Sequence, residues 1–247
     1  TSRRQRQMCI RDSPYSSFEV RLKEGPRAPL ITPQLCGTYT TQVKLYPFSD
    51  PATPTPKSAP MTIATGAGNG ACASSEAALP NNPTLEAGTS APLAGAYSPF
   101  LFKLSRQDGS QRFAGLQATL PKGVTAKLAG VPYCSEPQIA AAGARSREGE
   151  GALEAAAPSC PAASQVGIVN VGAGAGPAPY FAQGRAYLSG PYKGAPLSLA
   201  IITPAIAGPF DLGTVVVRTA LYVDESTAEV RAVSDPLPTI LAGIPLD

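Results

Sequence analysis

Apolar and polar positions alternate with a period of two along much of this 247-residue chain, the pattern of strands with one buried face. The first such run is Phe18-Glu-Val-Arg-Leu-Lys23, which puts Phe18, Val20 and Leu22 on one side. After a turn-rich Gly25-Pro-Arg-Ala-Pro29, the β-branched and aromatic residues of Cys36 to Thr41 and Val43 to Tyr46 predict a second strand. Five prolines between Pro47 and Pro60 rule out an interior strand and predict a loop or exposed edge, with Met61 to Ile63 as one more short strand. From Ala73 to Ser90 the chain is Ala, Ser, Asn, Pro and Gly with little periodicity, so residues 76–90 read as a linker.

Alternation resumes at Ala96 to Leu104, with Phe100, Phe102 and Leu104 on one face. The Asp108-Gly109 turn then predicts a hairpin that returns through Phe113 to Leu120. Further strands are expected at Gln165 to Val171, Gly184 to Leu188, Leu197 to Ile202, Gly213 to Asp224 and Ala228 to Val233, about seven after residue 90. Short strands spaced by Gly/Pro turns imply two packed antiparallel sheets. A 3.6-residue pattern is expected once, between Cys134 and Cys160, where Ser135 and Gln138 form a capping box ahead of Ile139 to Ala142. Gly143, Gly149 and Gly151, interleaved with Arg145, Arg147, Glu148 and Glu150, predict a solvated, mobile tip after it. The fold class is therefore all-β, an antiparallel β-sandwich module over residues 91–247, preceded by the end of another β module over 14–75.

Composition agrees: 27 prolines and 24 glycines are rich for a helical chain, and 43% apolar residues favour folding over disorder. Charge changes the picture only locally. Four of the 20 basic residues (Arg3, Arg4, Arg6, Arg11) and one of the 17 acidic ones (Asp12) lie before Ser13, so the chain from Ser13 onward is neutral, with 16 of each. Met8 to Ser13 reads as the translation of a transposon-end sequencing adapter, which sets residues 1–13 outside fold reasoning. No basic patch remains on the domain, and nucleic acid is not an expected partner. No 18-residue apolar run predicts a membrane span.

With Cys9 set aside, Cys36, Cys72, Cys134 and Cys160 remain, an even number without Cys-x-x-Cys spacing. They allow three connectivities, and spacing does not choose among them. Sequential pairing would close two loops of about 25 to 35 residues, each contributing ~3.5 to 4 kcal/mol in the chain-entropy account. With no histidine in the chain, zinc would need all four thiolates, and disulfides in an oxidising compartment are the expectation.

Candidate chemistry is sparse. Gly172 to Gly176 follows a strand, but Pro177 and Pro179 replace the helix that a dinucleotide fingerprint must open. Serine nucleophiles lack histidine as a base, and no Ser-x-x-Lys occurs; Ser189 and Lys193 read as turn residues. Asp211, Asp224, Glu225, Glu229, Asp235 and Asp247 are scattered over strand ends, without the pairing glycoside hydrolysis needs and without calcium-loop spacing. Tyr180, Phe181, Tyr187 and Tyr192 cluster enough to suggest a sugar-binding platform, although aromatics at strand ends more often pack on prolines or sheet edges. No catalytic, cofactor or metal residue is expected.

Leu120 to Ser135 (LPKGVTAKLAGVPYCS), Ser159 to Gly167 (SCPAASQVG), Tyr187 to Leu197 (YLSGPYKGAPL) and Asp235 to Ile240 (DPLPTI) resemble a family of large, uncharacterised exported repeat proteins from high-GC bacteria. The resemblance covers nearly everything from Pro14 onward. It implies a secreted or cell-surface array of immunoglobulin-like modules, with neighbouring modules as partners and no catalytic residues to carry over. Relative to that family the chain lacks the export region and later modules. Ser13 to Val20 and Ile244 to Asp247 further suggest that the chain stops before a module's last strand. The open edge should then drive association or recruit Phe18 to Lys23 as a substitute strand. The expected function is a non-enzymatic structural or adhesive surface module with an unidentified surface or matrix partner. The alternative is a glycan-binding module using the tyrosine cluster.

Overall fold

The structure, a computed structural model, describes residues 17–25, 28, 30–126, 128–174, 179–242 and 244–246. The proposed adapter segment at residues 1–13 lies outside the described residues, as do Pro26, Arg27, Pro29, residues 175–178 of the Gly/Pro connection, and Asp247. Strands hold 40% of the chain and helices 11%, all sheets are antiparallel, and the fold is all-β and sandwich-like in class.

β1 (Gly37–Leu45) and β2 (Thr55–Ile63) form a two-stranded sheet in unbroken register from Gly37↔Ile63 to Leu45↔Thr55. The period of two puts Tyr39, Val43, Leu45 and Met61 on one face, with Lys57 beside Val43 there, and Thr38, Thr40, Gln42 and Lys44 on the other. Pro56 and Pro60 fit because β2 is an edge. β3 (Thr84–Thr89) pairs with β4 (Phe100–Ser105) as a second such sheet, with Leu85, Phe100 and Phe102 on its apolar face. β3 lies inside the stretch whose composition reads as a linker. It also displaces the expected hairpin: β4 pairs backward with β3, not forward with residues 113–120. The Asp108-Gly109 turn forms, with Gly109 at φ 74°, but the chain beyond it leads elsewhere. A strand pattern fixes which residues share a face, not which strand lies alongside.

The main sheet is built from β5 (Gln117–Thr119), β6 (Gln165–Ala173), β7 (Tyr180–Ser189), β8 (Leu197–Ala207), β9 (Phe210–Val223) and β10 (Val230–Ser234), in the order β5-β10-β9-β8-β7-β6. Its hairpins are set by local turn chemistry. Lys193 and Gly194 both take positive φ between a Tyr192–Ala195 pair, the type I′ geometry that matches strand twist. Gly208 at φ 58° turns β8 into β9 in two residues. Asp224 accepts hydrogen bonds from the Ser226 and Thr227 amides to close β9 onto β10. Pro204 sits in the interior strand β8, where the register shifts between Pro204 and Ile206, which is how a ladder absorbs a residue without an N–H. β11 (Ile240–Leu241) and β12 (Ile244–Pro245) pair only with each other.

One face of the main sheet is covered by the Cys134–Cys160 insertion. α1 (Glu136–Ala144) packs on β9, and α2 (Gly151–Ala156) on β8 and β9. Gln138 Oε1 accepts from the Ser135 amide and hydroxyl, both at 2.9 Å, so the capping pair starts α1 where the sequence places it. The core between helices and sheet is Cys134, Ile139, Ala142, Cys160, Tyr187, Ala200 and Ile202, with Val216 packed against it. The opposite face carries Val169, Ile201, Val215 and Val217, all half-buried.

Three further expectations are corrected. Phe18 to Lys23 forms no strand, and its apolar row is exposed, with Phe18 at 85%. The Arg145–Glu150 tip is solvated, with residues 146–149 exposed, but it is anchored where a mobile excursion is expected: the Thr214 amide donates to the Arg145 carbonyl and the Gly149 amide to the Asp211 carbonyl, which fastens the tip to the start of β9. The insertion holds a second, six-residue helix, α2, which glycine and charge content concealed.

Candidate functional site

Two disulfides, Cys36–Cys72 and Cys134–Cys160, are formed. The second sits at the root of the helical insertion. The Cys134 amide donates to the Leu188 carbonyl at 2.8 Å, and the buried Ser189 hydroxyl donates back to the Cys134 carbonyl at 3.0 Å, which aligns Cys134 beside the end of β7. Cys134 and Cys160 are thereby both inside the core. Cys72, by contrast, is exposed.

The richest polar cluster lies on the main sheet around Arg218 of β9. Arg218 is 7% exposed and donates to Glu136 Oε2 at 2.9 Å and to Ser198 Oγ at 2.9 Å, while its guanidinium stacks 4.0 Å from the Tyr192 ring centroid. Tyr192 donates to Asp235 Oδ2 at 2.7 Å, and Lys193 donates to Asp235 Oδ1 at 2.6 Å. The Asp235 amide closes the ring by donating to the Arg218 carbonyl at 2.7 Å. Burial works to raise the Asp235 carboxyl, but hydrogen bonds from Lys193 and Tyr192 and the charges of Lys193 and Arg218 outweigh it, holding the group below the usual carboxylate range. The same bond to Asp235, then burial, pushes the Tyr192 hydroxyl up. Arg218 Nε is a buried donor with no hydrogen-bond partner among the described residues. The cluster ties α1, β9, the β7–β8 turn and the segment after β10 together. Its one serine hydroxyl, Ser198, faces a guanidinium, which takes no proton, and donates to the Gly190 carbonyl.

A second cluster holds the tip of the insertion. Glu154 of α2 is 1% exposed and accepts from Arg145 Nη1 at 2.6 Å, the Ser159 amide at 2.8 Å and the Ser159 hydroxyl at 2.6 Å. Asp211 at the start of β9 accepts from the amides of Gly151, Ala152 and Gly213. Burial works to raise the Asp211 carboxyl, yet the amides of Ala152, Gly213 and Gly151 outweigh it and hold it low. The backbone bonds from Thr214 to Arg145 and from Gly149 to Asp211 are 2.7 Å and 3.1 Å long. The carboxylates of Glu154 and Asp211 thus hold the two ends of the tip.

The four aromatics of the expected platform are not brought together. Tyr187 is 2% exposed and belongs to the core, where burial pushes its hydroxyl up against the opposing effect of Arg185. Tyr192 lies in the Arg218 stack. Tyr180 and Phe181 are exposed but start β7, with Tyr180 seven residues or roughly 23 Å from Tyr187 at about 3.3 Å per residue. As neighbours in a strand they project to opposite faces, and Phe181 lies against Gly172, where a Cβ would stand 2.9 Å from its ring. Among the described residues no group of three or more Cys, Asp or Glu is placed to hold a metal ion. A shallow cleft of about 270 Å³ runs between Glu76, Leu79, Gln111 and Ala114.

The buried groups Glu154 and Arg218 escape sequence reasoning. Glu154 sits within an Ala-rich run that suggests nothing about depth. Arg218 is at least flagged by its place inside the most apolar strand, Thr214 to Val223. Comparison with protein-family models, with curated proteins and with solved structures finds no match. Two disulfides are compatible with an oxidising, extracellular setting, and no helix of the described residues is long and apolar enough to cross a membrane.

Proposed function

We propose that this chain is a non-enzymatic structural or adhesive module of a secreted or cell-surface protein, joined to neighbouring modules and to a surface or matrix partner. The observation that carries the reading is the use of its strongest interactions for cohesion. One disulfide is fixed inside the core, and the charges of Arg218, Glu154 and Asp211 direct their hydrogen bonds to the protein's own backbone and side chains. Contact surface is plentiful, since β1–β2 presents Val43, Leu45 and Met61 and β3–β4 presents Leu85, Phe100 and Phe102 to solvent. The sequence resemblance to exported repeat proteins points the same way. Glycan binding keeps only Tyr180 and Phe181, on opposite faces of one strand, and is not favoured.

The test is to incubate the oxidised chain with panels of glycoside, ester and peptide substrates, and in parallel to measure retention of chain-coated beads on cells and matrix. Retention without turnover is expected. Turnover that tracks with the folded, disulfide-bonded chain would overturn the reading.

A further inference from the structure

An antiparallel sheet ends in two strands whose outer N–H and C=O groups have no partner, and proteins blunt such edges with charge, proline or brevity. The strands here do so with one exception. β5 is three residues long. β2 carries Pro56, Lys57 and Pro60, β1 carries Lys44, β3 Glu86 and β4 Lys103. β6, the other edge of the main sheet, has the sequence QVGIVNVGA, with neither charge nor proline. Its only irregularity is the bulge between Gln165 and Gly167. From Gly167 to Ala173 the register with β7 is unbroken, and among the described residues no strand pairs with its outer side, a seven-residue edge flanked by Ile168, 66% exposed, and Val171.

The same chain carries a segment with the complementary deficit. Phe18 to Lys23 has strict strand alternation and six residues to match that edge, yet it is unpaired, with Phe18, Val20 and Leu22 in water. Among the described residues of one copy both deficits stand unresolved. We propose that Phe18–Lys23 of one copy adds as a seventh strand along β6 of a second copy, so that two copies exchange strands reciprocally. Main-chain hydrogen bonds supply the attachment, and Phe18, Val20 and Leu22 extend one apolar face of the sheet while Glu19, Arg21 and Lys23 lie on the other. Reciprocal exchange closes the pair, because each copy gives one strand and receives one. The inference goes beyond the structural-module reading: a monomer without turnover would leave that reading standing, and a dimer with turnover would leave this one.

Sedimentation of the full chain between about 1 and 100 μM, with Cys9→Ser to remove intermolecular disulfides, is expected to show a reversible dimer. Val20→Pro, which removes an N–H and stiffens an unpaired segment, and Ile168→Lys, which charges the edge, should each weaken dimerisation at least tenfold. Each should leave the melting temperature of the dilute monomer unchanged. Amide exchange should slow across 167–173 in the dimer and not in either variant. A monomer throughout overturns the proposal, as does a dimer that persists in both Val20→Pro and Ile168→Lys. A monomer whose 167–173 amides are protected until Val20→Pro is introduced overturns it too, since the strand would then dock on its own sheet.

Discussion

Glu154 shows what one buried carboxylate does when its oxygens are fully engaged. Its partners are Arg145, 31% exposed and also bonded to the Ala157 carbonyl, and the half-buried Ser159 through its amide and hydroxyl. Glu154→Ala removes the one acceptor that joins them inside the fold and is expected to destabilise it by about 1–3 kcal/mol, read as a lowered urea midpoint. Gly213 is the residue-scale counterpart on the backbone. It takes φ 85°, and a Cβ there would stand 2.4 Å from the Ser146 carbonyl oxygen, so Gly213→Ala must both strain β9 and push the tip away. It should cost more than the ~1 kcal/mol of a glycine change in open space, again read from the urea midpoint. Neither role is legible in the sequence. Periodicity reports which side of an element is apolar, whereas these two residues matter through contacts between Glu154 and Ser159 and between Gly213 and Ser146, which only the folded chain brings together.

At the scale of elements, sequence pattern and structure agree where local chemistry decides and part where partners do. The Ser135/Gln138 cap of α1 and the strands from β7 to β10 follow from residues a few positions apart. The β3–β4 pairing and the idle Phe18–Lys23 segment depend on which strand finds which, information that alternation does not hold. The two disulfides differ at this scale as well. Cys134 and Cys160 are buried at the junction of α1 with β7, whereas Cys72 is exposed beside a hairpin that lies outside the main core. A small thiol reductant without denaturant should therefore open Cys36–Cys72 first and leave Cys134–Cys160 intact, as alkylation and peptide mass mapping would show. Equal rates would mean that the insertion opens often enough to expose the core. In the chain-entropy account, paired Cys→Ala substitution should cost ~3.5 kcal/mol at Cys134–Cys160 and ~3.8 kcal/mol at the longer Cys36–Cys72 loop, and at the buried pair the cavity left in the core adds to that loss.

For the whole molecule the telling feature is how its charges are distributed. The body of the chain is neutral, yet two of its depressed carboxyls, Asp211 and Asp235, lie where separate elements meet: Asp211 joins the tip of the insertion to β9, and Asp235 joins the β7–β8 turn to the segment after β10. A third, Asp224, is lowered to about 2 by the hydroxyls and amides of Ser226 and Thr227, but it caps a single exposed turn and joins nothing distant. Asp211 and Asp235 are both held below their unfolded values, so each binds its proton less readily in the folded state. Their contribution is fully present above the unfolded carboxyl range, near pH 4, and is lost as pH falls through the lower folded values. Thermal unfolding should accordingly be flat from about pH 7 to 5 and fall steeply below about 4. Asp211→Asn and Asp235→Asn should each lower the midpoint at neutral pH and flatten the acid limb, because the group that loses its advantage on protonation is gone. A variant midpoint that stays parallel to the wild type through the acid limb would mean that the two carboxylates are bystanders, and that cohesion rests on the disulfides and the Tyr187–Ile202 core alone. The distinction matters for the surface role proposed above, since a chain held at its joints by ionised carboxylates would loosen in acid while its sheets persist.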